Sequence, residues 1–133
     1  MMTEFQEVKP GDLITVKSPQ GKTHFEAVII GLPTETSESY RPLGVDSSTI
    51  LPGTRCYRKL PGYESGHFLT FNNNQWREGK IAHYTPRSQN EKASRNLLQN
   101  AKLDLTNQNI TYGNLGLDSR DAKEVLDTIE SLL

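Results

Sequence analysis

The chain is expected to fold as an α+β protein, mainly β: a small antiparallel β-barrel followed by one or two C-terminal helices. Three observations predict this. Between residues 13 and 85, short apolar runs rich in β-branched and aromatic residues recur, separated by Gly, Pro or Asn. Beyond Pro86 the apolar spacing changes to that of a helix. The length, 133 residues, suits one domain, with a barrel core at 10–86 and a helical part at 87–133.

Residues 1–9 are a polar lead-in in which Phe5 and Val8 can pack onto the body. Pro10-Gly11-Asp12 signals a turn, since Pro presets φ and Gly tolerates a positive one. Leu13, Ile14, Thr15 and Val16 then read as a strand. Ser18-Pro19-Gln20-Gly21 supplies a tight connection to a second strand through Phe25, Ala27, Val28, Ile29 and Ile30. That second strand is apolar on both faces at its end, which places it inside the sheet rather than at an edge.

Residues 33–48 have two prolines and no period, and are expected to be a long polar loop. Further strands are expected at 49–51, 54–60, 67–71 and 80–85. Short strands with bare edges invite pairing with other chains, so closure into a barrel is the expected solution. Helices are expected at about 92–103, capped by Ser88 or Asn90, and at 118–133, capped by Asp118 or Ser119. In the last helix Ala122, Val125, Leu126, Ile129, Leu132 and Leu133 form one apolar stripe. Residues 110–112 can supply one more strand between the helices.

Composition excludes some function classes. The single cysteine, Cys56, rules out an internal disulfide and a cysteine-based metal site, and it suits a cytoplasmic setting. No run of about 18 apolar residues exists to span a membrane, and the first residues lack the basic and apolar regions of a secretory leader. His24, His67 and His83 are too scattered to predict a metal, so neither metal nor cofactor is expected. Cys56 with His67 or His83 would make a thiol nucleophile and base, but only Arg55 and Arg58 lie near enough in sequence to activate the thiol. No phosphate-cradling glycine motif or nucleophile elbow occurs.

The net charge of -1 hides a basic centre: residues 54–95 carry eight bases against three acids, while 118–133 carry five acids against two bases. Six of the ten aromatic residues fall within 57–84, among these bases. Cations for phosphates and flat rings for bases are what a nucleic-acid surface needs. The expected contacts are Arg55, Tyr57, Arg58, Lys59, Tyr63, Trp76, Arg77 and Lys80, to DNA or RNA. Strand alternation puts Arg55, Tyr57 and Lys59 on one face, which favours an exposed Tyr57 ring. The same alternation would arise from ordinary packing of core aromatics between solvated bases. A second expectation places a protein partner, or a second copy of the chain, on Val125, Leu126 and Ile129.

Gly11-Asp12-Leu13-Ile14-Thr15-Val16, the glycine at Gly21 and Ala27-Val28-Ile29-Ile30 resemble the opening of SH3-like barrels of the KOW and Tudor type. They are also similar to the start of PemK/MazF-family toxins, whose chains likewise finish in an acidic amphipathic helix. Phe25-Glu26 stands where those toxins usually carry Arg-Pro. The toxin resemblance implies metal-independent RNA cleavage by a dimer; the barrel resemblance implies a non-enzymatic binding module. The binding module is the leading expectation. The ribonuclease and an assembly factor docking through the last helix are the alternatives, so catalysis is left open and no catalytic residue is named.

Overall fold

A computed structural model describes residues 6–17, 24–33, 43–45, 48–51, 53–59, 65–70 and 80–133. The strands are β1 (Gln6–Glu7), β2 (Leu13–Lys17), β3 (His24–Gly31), β4 (Leu43–Val45), β5 (Ser48–Ile50), β6 (Arg55–Arg58), β7 (His67–Thr70) and β8 (Lys80–Thr85). A 3-10 turn at Arg87–Gln89 leads to the helices α1 (Glu91–Thr106), α2 (Tyr112–Leu115) and α3 (Ser119–Leu132).

The main sheet is antiparallel throughout, in the order β7-β6-β3-β2-β8. Its middle strand is β3, as a strand apolar on both faces should be. Leu13 pairs with Val28 and Ile14 with Ala27, so β2 and β3 form the expected hairpin. A small second sheet, β1-β5-β4, joins β1 to β5 in parallel and β5 to β4 in antiparallel sense.

The expected barrel does not close. Among the described residues β7 and β8 end the main sheet and do not pair with each other. The edges are managed by cover instead: α2 packs against β7, and β4 lies beside β8. Cover also explains why both sheet faces are dry. On one face Leu13, Val28, Ile30, Tyr57 and Phe68 meet Leu98, Ala101 and Leu105 of α1 and Ala122, Val125 and Ile129 of α3. On the other face Ile14, Val16, Ala27, Ile29, Cys56, Leu69 and Tyr84 meet Val8 and Ile50, with Val45 at the margin. Helices, main sheet and small sheet make three layers with two cores.

Two local expectations change. Strand β4 falls inside the stretch 33–48 expected to be loop; 34–42 and 46–47 lie outside the described residues. The strand expected at 110–112 is absent, because the Thr111 side chain caps a helix by accepting from Asn114 N, and Gly116 ends that helix at φ 86°. The long helices start at their expected caps: the Asn90 side chain accepts from Ala93 N and that of Asp118 from Asp121 N.

The turn before β2 ties the layers together. Gly11, at φ 95°, donates its N–H to Ile29 O at 2.6 Å, and its own carbonyl accepts from buried Ser94 Oγ of α1 at 2.6 Å. Asp12 accepts from Lys9 N and Arg87 N, each at 2.9 Å, and from the Tyr84 hydroxyl. Arg87 in turn donates through Nη2 to Leu132 O at 2.8 Å, which holds the last turn of α3 against this corner.

Candidate binding groove

Strand β3 does not end flush. Its pairing with β6 shifts between Ile29 and Gly31, and a bulge of this kind bends a strand and redirects the residues beyond it. Leu32 and Pro33 leave the sheet beside Gly53, which has φ 93° and where a Cβ would come within 2.9 Å of Pro33 Cβ. Between this exit and α3 lies a groove of about 590 Å³. The end of β3 and its exit line it with Ile30, Gly31, Leu32 and Pro33, and α3 lines it with Glu124, Val125, Asp127 and Thr128; Gly53, Arg55 and Thr70 complete the described lining.

Arg55 is the cation among the described lining residues, and Asp121 in the first turn of α3 pairs with it at 3.0 Å. Both side chains are about one-third exposed or less, at 27% and 30%, so the pair positions more than it stabilises, at about 0–1 kcal/mol. Glu124 and Asp127 are exposed and make no ion pair among the described residues. The groove is therefore apolar on one side and acidic on the other. The surplus of acids in 118–133 is the sequence signal for that wall; nothing local marks the opposite one.

Among the described residues, the expected nucleic-acid contacts are not gathered into one surface. Tyr57 is fully buried, with its ring 4.9 Å from that of Phe68 and its hydroxyl donating to Asp104, which corrects the expectation of an exposed ring. Burial first, and the neighbouring Asp104 second, push its phenol well above the usual tyrosine range. Arg58 is buried on the opposite face with its guanidinium 4.5 Å over the Phe25 ring. Lys59 is half-buried and Arg55 is ion-paired. The backbone of Lys80 lies in β8, while Tyr63, Trp76 and Arg77 lie outside the described residues. Alternation does assign Arg55 and Tyr57 to one face and Cys56 and Arg58 to the other. It does not say that both faces are covered.

The stripe on α3 is likewise used within the fold. Val125 and Ile129 are buried and Leu126 is half-buried against the helical core, so these three do not form a free docking face. The thiol of Cys56 is fully buried, and burial raises it well above its ordinary value despite Arg58, so it is a poor nucleophile. His67 is held below the ordinary histidine value by burial and then by Arg58; His83 is exposed. Among the described residues no three His, Cys, Asp or Glu gather as a metal site, and no helix is long and apolar enough to cross a membrane.

No family model, curated protein or solved structure matches this chain. The likeness to KOW, Tudor and PemK/MazF proteins thus rests on residues 11–30 and, for the toxins, on the last helix.

Two carboxylates that sequence reasoning missed complete the polar interior. Asp104, buried on α1, accepts from the Tyr57 hydroxyl and from Gly66 N at 2.8 Å. Asp12 reads from sequence only as part of a turn, yet it joins that turn to β8 and the 3-10 turn. Both serve the fold, and neither lines the groove.

Proposed function

We propose that the protein is a non-enzymatic binding module, acting in the cytoplasm, that takes its ligand in the groove between the β3 exit and α3. The observation that carries this reading is the groove itself. Its volume of about 590 Å³ falls within the range of about 300–1,000 Å³ common for ligand sites. A non-catalytic role is favoured because the described nucleophile candidate, Cys56, is sealed and held protonated. Nucleic acid, the expectation from the basic and aromatic centre, has less support at this groove, whose cation is already paired with Asp121.

The test uses amide chemical shifts of the full chain, titrated with a single-stranded RNA, a single-stranded DNA, a basic peptide and an acidic peptide. A Thr128→Trp variant, which fills the groove from the half-buried edge of α3, is the control. One ligand class should produce saturable shifts at Gly31, Gly53, Thr70 and Thr128, and Trp at 128 should abolish them. Shifts confined to other surfaces, or no saturable shift, would overturn the groove reading. RNA shortened during the titration without added metal would favour the ribonuclease instead.

A further inference from the structure

We infer that the groove's occupant is a basic segment of a partner protein, which lays an apolar side chain against Leu32 and Pro33 and presents lysine or arginine to Glu124 and Asp127. This rests on the groove being the binding site and adds the chemistry of its ligand.

Charge decides the sign. Arg55 and Asp121 pair at 3.0 Å, which leaves Glu124 and Asp127 as the unpaired charges among the described lining residues. An anionic ligand would have to sit beside two carboxylates with no unpaired cation among those residues, and like charges set side by side disfavour binding. A cation there meets opposite charge without first breaking an ion pair, because neither carboxylate has one among the described residues.

The opposite wall decides the class. Leu32 is 45% exposed, one of four large apolar side chains left so among the described residues, and Pro33 beside it is half-buried. A small polyamine would satisfy the acids and leave this wall wet. A peptide can cover both walls, because successive side chains of an extended segment point to opposite sides. Gly31, also in the lining, leaves room for close approach: among the described residues a Cβ there would meet only Arg55 Cβ, at 3.7 Å.

The experiment compares three labelled hexapeptides by fluorescence anisotropy, with amide shifts to locate them: Gly-Leu-Arg-Leu-Lys-Gly, the same peptide with glutamine at both basic positions, and the same with glutamate there. The basic peptide should bind about ten-fold more tightly than the glutamine form, and the glutamate form should not reach the groove. Added salt should weaken the basic peptide selectively. The double change Glu124→Gln with Asp127→Asn should bring the basic peptide down to the affinity of the glutamine form. Equal binding of the basic and glutamine forms, or an unchanged affinity in the double variant, would overturn the proposal. The peptide series and the salt response need no variant, so a misfolded variant would not blunt the test. If RNA, DNA or the acidic peptide fills the groove instead, this proposal fails while the groove reading survives. If nothing fills it, both fail.

Discussion

Two buried aspartates, one at each end of the domain's polar interior, do the same job by different means. Asp12 sits in the turn before β2 and collects three donors: the backbone of Lys9, three residues away, the Tyr84 hydroxyl, 72 residues away, and the backbone of Arg87, 75 residues away. Asp104 sits on α1 and collects two: the Tyr57 hydroxyl and the backbone of Gly66, 47 and 38 residues away. Asp12 uses both carboxylate oxygens, whereas these two donors to Asp104 share Oδ2. The first clasp closes a turn that is already formed locally. The second has no local contact and depends on α1 being docked on the sheet. Burial ranks them: both bonds to Asp104 are buried, whereas Asp12 has one buried donor, Tyr84, and two part-buried backbone ones, and a buried donor stripped of its acceptor costs about 1–3 kcal/mol.

The largest effect expected is therefore Asp104→Ala, at about 3–4 kcal/mol of unfolding free energy, against about 2–3 kcal/mol for Asp12→Ala. Urea unfolding of the two variants checks the order, and a larger loss at Asp12 would break the ranking by burial. Gly66→Ala should cost about as much as Asp104→Ala, because its Cβ would run into Arg58 O and the Tyr57 hydroxyl; an unchanged urea midpoint would show that this corner relaxes easily. Removing one hydroxyl is milder. Tyr57→Phe should lose about 1–2 kcal/mol and Tyr84→Phe about 1 kcal/mol, since Asp12 keeps two backbone donors and Asp104 only one. A double-mutant cycle with each aspartate isolates the pair energies.

The smallest effect concerns pH. His67 lies in β7, just beyond Gly66, and its folded value is lowered from the ordinary one near 6.5 by burial and Arg58. Below about pH 6.5 the unfolded chain takes up a proton that the folded one resists, so this contribution to stability is present at neutral pH and is lost as pH falls through that value. His67→Gln should flatten the loss of stability between about pH 7 and about pH 5.5 relative to the parent chain. Parallel curves for the two proteins would remove His67 from the acid response.

The contrast between the clasps is also the contrast between what was legible and what was not. Pro10-Gly11-Asp12 announces its turn, because proline, glycine and a short acceptor act on neighbouring backbone. The same local logic makes the caps Asn90 and Asp118 legible, and the β2–β3 hairpin with them. Asp104 is invisible as a clasp: within α1 it is one acid between two leucines, and its role appears only when Gly66 and Tyr57 arrive from the sheet. The groove is half legible. The acidity of 118–133 is plain in the sequence, but the facing wall exists only because β3 bulges and turns out beside Gly53. The expected surface of rings and bases fails at Tyr57 and Arg58 because a period of two reports which side chains share a face and carries no information about what covers it.

By itself, then, the sequence determined the longer strands, the two long helices and the middle position of β3, all of which arise from spacing and from residues that act on their own backbone. Only the tertiary structure decided that the sheet would stay open between two layers, that the α3 stripe would be buried at home, and that two aspartates would be clasps. The physical reason is range: propensity, capping and alternation act over a few residues, whereas burial, charge pairing and the occupant of a groove depend on groups brought together from distant parts of the chain.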